Sequence, residues 1–385
     1  MPADHTLVLI DYHPLVPFIV RSHQFMSRAA GFAEHAPDNL DVQIWLPSPE
    51  LDHLKLSQQI GLTFPEDLIT FGPPRTRHIF GKKLTLTFLF RNWIKQQLRQ
   101  LAKTTRPIVY LRTLKLAAAL IPHLKALGIP YIFETHEIFH KTGGNPDKLL
   151  PLEKEVYEQA ALVIPISKSL AEDLASDLGI ESPVLMPSGH NDSLSGVPEY
   201  NAEAPPRFLY IGSLHRWKGL EPFLTATKDL KIPTDVVGDA GGLVRLKEFV
   251  AEHHLDHVIL HGQKQPEELT PFYSESTICI LPLSEAQIAQ RYTSPLKLFE
   301  YTAAGRPVMI GRAPSITTIP GASEAVCLVD DDWKSAASKL LSDPDARKHL
   351  AQDAREFARH YTWPKIAQTL LTSPSFQSLL KHGPS

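Results

Sequence analysis

Short apolar runs alternate with stretches in which apolar positions recur every three or four residues, and the alternation continues through almost the whole chain. In the first half, Leu7 to Asp11, Val42 to Leu46, Ile108 to Leu111, Tyr131 to Phe133 and Leu162 to Ile166 read as strands with helical patterns between them. The second half repeats this more regularly, with strands expected at Phe208 to Ile211, Asp235 to Val237, Val258 to Leu260, Ile278 to Leu281, Val308 to Ile310 and Val326 to Val329. Such βα alternation predicts parallel sheets covered by helices on both faces. Between the halves, Pro187-Ser188-Gly189-His190-Asn191-Asp192 and the stretch to Pro206 carry Ser, Pro, Gly and Ala without an apolar period, the pattern of an interdomain linker. Asp343 to Tyr361 and Trp363 to Leu371 are helical in pattern, with Pro364 suited to a first helical turn. The expected division is an N-terminal domain over 1–190, a linker over 191–206, a C-terminal domain over 207–362 and a terminal helix over 363–385 that crosses back to the first domain.

Length agrees with this division, because 385 residues exceed what one hydrophobic core usually organises. With 43% apolar and 21% charged residues, the composition excludes a disordered chain. The two cysteines, Cys279 and Cys327, each sit in an apolar run and read as reduced core residues, which points to a reducing compartment. Asp4 and His5 precede the Leu7-Val8-Leu9-Ile10 run, which is too short for a signal-peptide core. No apolar stretch approaches the ~18–20 residues that span a bilayer, so a cytoplasmic protein is expected.

Charge adds an asymmetry that the net value of −3 conceals. From Leu68 to Phe133 there is no Asp or Glu but there are twelve basic residues: Arg75, Arg77, Lys82, Lys83, Arg91, Lys95, Arg99, Lys103, Arg106, Arg112, Lys115 and Lys125. Within this region, Phe80-Gly81-Lys82-Lys83-Leu84 and Phe88-Leu89-Phe90-Arg91-Asn92-Trp93-Ile94-Lys95 interleave cations with aromatics. That pattern fits either attachment to an anionic membrane surface on the cytoplasmic face or a solvated amphipathic helix with its aromatics in the core. No nucleic-acid-reading module accompanies the charge, so no nucleic-acid partner is expected.

Ligands of doubly wound sheets bind outside the carboxyl ends of the strands, which directs attention to the residues following each run. Ser294-Pro295 predicts a helix start with Ser294 as side-chain N-cap, and Gly305-Arg306-Pro307 a stop. The N–H groups of such a helix end suit a pyrophosphate, and Glu300 further along can accept two hydrogen bonds from a ribose diol. The local sequence equally allows Lys297 and Glu300 to be a solvated i,i+3 pair. Asp330-Asp331-Asp332 and Asp343-Pro344-Asp345 precede helical patterns and read as caps or first-turn acids rather than metal ligands, so no metal is expected. Gly238-Asp239-Ala240-Gly241-Gly242 follows a strand but is neither a phosphate loop nor a dinucleotide fingerprint.

Ser294-Pro295-Leu296-Lys297-Leu298-Phe299-Glu300-Tyr301, followed by Ala303-Ala304-Gly305-Arg306-Pro307-Val308, resembles the donor-binding segment of family 4 retaining glycosyltransferases of the GT-B fold. Phe208 to Leu214 with Lys218-Gly219 is similar to the family's strand, loop and Lys-Gly step, and His261-Gly262, Pro266 to Leu269 and Ile278 to Pro282 match its later strand order. Phe133-Glu134-Thr135-His136-Glu137 and Ala161 to Ser167 resemble first-lobe landmarks, so the likeness covers Tyr131 to Leu371. It implies an α/β protein of two doubly wound Rossmann-like lobes facing a central cleft. It also implies transfer of a sugar, with retention of configuration, from a UDP- or GDP-sugar to a glycan, lipid-linked or small-molecule acceptor.

By position, the resemblance gives Glu300 the ribose hydroxyls, Lys218 the diphosphate, and Thr293, Ser294 and Leu296 the rest of the phosphate site beside Gly212 and Ser213. His136 would meet the transferred sugar. The nucleotide-sugar is then a substrate, and neither cofactor nor metal is required. Two positions depart from the family. Tyr292 stands where a sugar-contacting Glu is common, and Ser213 where an Arg is common, with Arg216 near enough to serve as the second phosphate cation. A sugar-nucleotide epimerase and a non-catalytic nucleotide-sugar-binding scaffold at a membrane surface are the competing readings.

Overall fold

The computed structural model describes residues 3–12, 20–47, 66–74, 76–79, 82–85, 87–191, 194 and 196–381. The chain divides into two compact units, one of Met1–Ile166, Leu170–Pro187 and Trp363–Ser385, the other of Ser167–Ser169 and Ser188–Thr362.

The first unit contains β1 (His5–Ile10), β2 (Leu40–Pro47), β3 (Ile69–Gly72), β4 (Thr76–Ile79), β5 (Lys82–Thr85), β6 (Arg106–Leu111), β7 (Tyr131–Thr135) and β8 (Leu162–Pro165). Six of these form one parallel sheet in the order β3-β2-β1-β6-β7-β8, and β4 pairs antiparallel with β5 as a separate hairpin. Every residue of the central β1 is buried, as expected for a parallel strand with both faces covered. The helices Val20–His35, Thr87–Leu101 and Leu114–Leu127 follow strands of this unit, and Trp363–Leu371 packs against Val20–His35. Gly31 permits that approach, because a Cβ there would lie 2.8 Å from the Trp363 carbonyl oxygen.

The second unit contains β9 (Phe208–Ile211), β10 (Thr234–Val237), β11 (Val258–Gly262), β12 (Ile278–Leu281), β13 (Val308–Gly311) and β14 (Cys327–Val329). Its parallel sheet has the order β11-β10-β9-β12-β13-β14, the same winding as the first. In each unit the chain builds outward on one side and then returns to the other side of the starting strand. The order therefore reverses between β1 and β6 and between β9 and β12. A ligand crevice is expected at the carboxyl ends of those pairs.

Strands carrying pure apolar runs lie where the pattern predicts them. The edge strand β3 and the β4–β5 hairpin are not visible in the pattern, because Ile69-Thr70-Phe71-Gly72 is only half apolar and an edge strand buries fewer positions. Residues 197–202 of the expected linker pack on the second unit. Arg347 donates to Ala202 O at 2.7 Å and Tyr200 Oη at 3.1 Å, Arg355 to Val197 O at 2.9 Å, and Arg306 to Pro198 O at 2.7 Å. Asp192, Ser193 and Ser195 of that segment, and Phe80 and Gly81 of the basic stretch, lie outside the described residues. Asp332 and Asp343 cap helices, accepting from Ser335 N at 2.9 Å and Ala346 N at 2.8 Å. Both cysteines are free, and burial pushes the Cys279 thiol up to about 12, where it is inert.

The basic region is less uniform than its composition. Arg112 is buried and paired with Asp11 at 2.9 Å. In the helix Thr87–Leu101, Phe90, Ile94 and Leu98 are buried at helical spacing, and Trp93 stacks on Phe90 and meets Trp45 edge-on. Phe88 and Leu89 remain 49% and 38% exposed. The aromatics of this stretch thus divide between core and surface.

Candidate functional site

In the second unit, β9 ends at Ile211 and runs into Gly212-Ser213-Leu214, then a short turn Arg216–Lys218 closed by left-handed Gly219. Gly212 N donates to Val237 O and Leu214 N to Asp239 O, both at 2.9 Å, so the loop continues the sheet edge. Gly238 is obligatory beside it, since at φ 138° a Cβ would lie 1.8 Å from Gly212 O. The Ser213 carbonyl accepts from Tyr210 Oη at 2.8 Å. Gly219 packs against the Leu283–Ser284 backbone beyond β12, which brings the Lys218 turn to the β9–β12 reversal point.

Lys218 is half-buried, with its ammonium 4.1 Å from the Trp217 ring centroid. Among the described residues no carboxylate pairs with it, and burial alone lowers its pKa to about 8. A desolvated cation lacking a counter-charge is a prepared anion site. Arg216 is exposed, and its charge reaches Arg245, whose pKa is lowered first by burial and then by Arg216.

The helix Leu296–Ala303 begins after β12 and ends at left-handed Gly305. Ser294 does not cap it, contrary to the sequence expectation. The N-cap position is Pro295, and the Ser294 hydroxyl instead accepts from Ser188 N at 2.7 Å while Ser188 Oγ donates to Ser294 O at 2.8 Å. Because Ser294 is turned into this backbone exchange, the first N–H groups of the helix have no side-chain cap. Leu296 is buried and Thr293 half-buried.

Glu300 forms the i,i+3 pair with Lys297, and its Oε2 also accepts from Tyr273 Oη at 3.1 Å. Both partners use Oε2, so among the described residues Oε1 has no donor, and the side chain keeps 12% exposure. The next residue, Tyr301, accepts from Ile211 N at 2.7 Å through its hydroxyl, which anchors the Glu300 helix to the end of β9 beside Gly212. Tyr292 is 1% exposed, and its hydroxyl accepts from Gln287 Nε2 at 3.0 Å. Tyr273 and Gln287 carried no signal in the sequence, because their roles arise only when separate segments meet.

In the first unit, β7 ends in Glu134-Thr135-His136. Glu134 is 2% exposed and receives hydrogen bonds from Arg28 and Tyr110, while His136 Nε2 lies 2.5 Å from its Oε1. Burial alone would raise the Glu134 pKa, but the Arg28 guanidinium and the His136 hydrogen bond hold its carboxyl well below the usual range. Burial, with Arg112 and Arg28 acting in the same direction, lowers the His136 pKa against the opposing pull of Glu134, so the imidazole is neutral at pH 7. An ionised Glu134 can only accept, and Nε2 therefore carries the proton and Nδ1 is left as an acceptor.

His136 lines a cavity of about 230 Å³ with Tyr12, Arg112, Lys115 and Glu137, at the carboxyl ends of β1, β6 and β7. Buried Glu153 braces the loop beyond it, accepting from Phe139 N at 2.8 Å, His140 N at 3.1 Å and Tyr157 Oη at 3.0 Å. The bracing residues Arg28, Tyr110 and Glu153 are distant in sequence from His136, and nothing in their local pattern marks them. The structure thus gathers Gly212, Ser213, Lys218, Glu300 and Leu296 at one edge of the second unit, and His136 stands at the corresponding edge of the first. Among the described residues, no three His, Cys, Asp or Glu side chains are grouped so as to hold a metal ion.

Two parallel six-stranded sheets of Rossmann winding define a GT-B fold. Sucrose-phosphate synthase from Thermosynechococcus elongatus superposes with a TM-score of 0.73 at 17% identity, covering 98% of this chain and 99% of that one. Anabaena HepE in complex with UDP-glucose superposes with a TM-score of 0.67 at 14% identity, over 98% and 100% of the two chains. Residues 205–343 match the model of the family Glycosyl transferases group 1. An uncharacterized glycosyltransferase of Methanocaldococcus jannaschii is 22% identical over 207 residues, 53% of this chain and 56% of the relative. A D-inositol 3-phosphate glycosyltransferase of Corynebacterium urealyticum is 27% identical over 194 residues, 46% of this chain and 44% of the relative. The chain spans about half the length of these curated relatives.

Proposed function

We propose that the protein is a retaining glycosyltransferase that moves a hexose from a UDP- or GDP-sugar to a glycan, lipid-linked or small-molecule acceptor. Lys218 carries this reading, as a half-buried ammonium without a carboxylate partner at the strand-order reversal of the second unit. A diphosphate would supply the missing counter-charge, and Arg216 is the second cation within the same turn. The first N–H groups of Leu296–Ala303 add dipolar attraction to the phosphates. Glu300 Oε1 is an open acceptor for a ribose hydroxyl.

Departure of the nucleoside diphosphate is favoured by the same cations that bind it, and its leaving oxygen can take the acceptor proton, so no separate base is demanded. Neutral His136 presents Nδ1 as an acceptor for a sugar hydroxyl. Buried Tyr292 replaces an acidic sugar contact, which moves sugar selection onto other residues. Matches to UDP and UDP-glucose complexes of Anabaena HepE support a uridine donor as the first to test. The basic region with exposed Phe88 and Leu89 supports contact with an anionic membrane, and no described helix is long and apolar enough to cross one.

A thermal-shift screen against nucleoside diphosphates and their sugars tests the donor, because a ligand that binds only the folded state raises Tm. The expected result is a shift with one base, followed by acceptor-dependent release of that diphosphate. Donor conversion without acceptor would favour an epimerase instead. Unchanged donor binding and turnover in both Glu300→Ala and Lys218→Ala would refute the site.

A further inference from the structure

A cavity of about 470 Å³ opens at the amino ends of β1, β6 and β7, the end of the first sheet opposite His136. Its volume lies within the range of small-molecule sites. Helix Leu114–Leu127 supplies Ile121 and Lys125 to its wall, Ile129 and Arg106 flank it, and Leu379 of the helix Pro374–Lys381 covers part of it. Among the described residues no Asp or Glu lines it, although Asp4 adjoins His5 in the chain.

His5 also lines this cavity. It is 4% exposed, and among the described residues neither Nδ1 nor Nε2 has a hydrogen-bond partner. Burial and the neighbouring Arg106 lower its pKa, so the ring is neutral with one N–H to give and one nitrogen to receive. Buried polar groups are nearly always partnered, and an unpartnered imidazole at the wall of a roomy cavity points to an occupant. The occupant must offer hydrocarbon to Ile121, Ile129 and Leu379, and an anionic, hydrogen-bonding head to His5 and the two cations.

We propose that this cavity binds a single-chain anionic amphiphile, a carboxylate or phosphate monoester of medium chain length, with its head at His5, Arg106 and Lys125. The site is separate from the residues at the carboxyl ends of the strands and does not depend on the reaction proposed for them.

The test titrates the full-length protein by calorimetry and thermal shift with decanoate and decyl phosphate below their micellar concentrations, with decanol and inorganic phosphate as controls. Saturable binding of one or both amphiphiles is expected, and which of the two binds identifies the head group. Decanol should bind about tenfold more weakly, the loss expected for a charge-assisted hydrogen bond. The double variant R106A/K125A should weaken amphiphile binding by a similar factor and leave decanol unchanged. Ala102→Trp, at an exposed position on the rim, should block the amphiphiles and decanol while leaving the ligand-free Tm unchanged. Absence of saturable binding would overturn the proposal, as would decanol binding as tightly as decanoate, binding of inorganic phosphate alone, or binding that survives Ala102→Trp.

Discussion

Replacing Lys218 by Met keeps the aliphatic stem against Trp217 and removes only the charge. In the folded protein burial lowers the Lys218 pKa from 10.5 to about 8, a difference equivalent to about 3 kcal/mol. Because the side chain is only half-buried, solvent screening reduces the usable part to about 1–2 kcal/mol. The sign follows from proton counting. Between pH 8 and 10.5 the unfolded chain holds the proton that the folded protein has released, so this group makes stability rise with pH across that window. Below it the cost of burying the charge is fully present.

Lys218→Met is therefore expected to be more stable than the parent at pH 7, by about 1–2 kcal/mol, and the gap should narrow as pH rises through about 8 and be closed by 10.5. The same variant should bind the nucleoside diphosphate about 10–100-fold more weakly, the loss of a charge-assisted contact. Urea unfolding at pH 7 and pH 10.5, with nucleotide titrations at pH 7, measures both effects. In the parent, diphosphate affinity should fall as pH rises through about 8, with proton uptake on binding detectable from the buffer dependence of the heat. A variant that is less stable at pH 7 and binds diphosphate normally would refute the reasoning, because Lys218 would then be a structural cation.

Glu300→Gln should weaken nucleoside diphosphate binding about tenfold while leaving inorganic pyrophosphate affinity unchanged; equal losses for the two ligands in parallel titrations would remove Glu300 from the ribose. Glu134→Gln leaves Arg28 buried without its carboxylate, and urea unfolding should report a loss of about 3–5 kcal/mol; a loss under 1 kcal/mol would mean the cluster is already screened. Gly238→Ala forces a Cβ against the Gly212 carbonyl at a left-handed φ, so unfolding should show at least about 2–3 kcal/mol of destabilisation, and a neutral result would show that the loop relaxes freely.

Apart from β3 and the β4–β5 hairpin, the strands of both units were legible in the chain, because parallel strands buried on both faces are written as unbroken apolar runs such as Leu7 to Ile10 and Ile278 to Leu281. The positions of Lys218, Glu300 and His136 after strands were legible for the same reason. Their chemical states were not, since these depend on burial and on partners far away in sequence. Lys218 loses protons easily because the fold dries it without a counter-charge, and His136 is oriented by a glutamate that the Arg28 guanidinium holds ionised. Ser294, a helix cap by local rules, was taken by the Ser188 backbone once the chain folded. Likewise the basic stretch is uniform in the sign of its charge, yet Arg112 was drawn inward by Asp11, and Phe90 and Trp93 by the core. Local sequence determined which elements form, through periodicity and side-chain volume. Tertiary structure decided which polar groups meet and which remain unpaired, because desolvation and hydrogen-bond geometry exist only after distant segments pack.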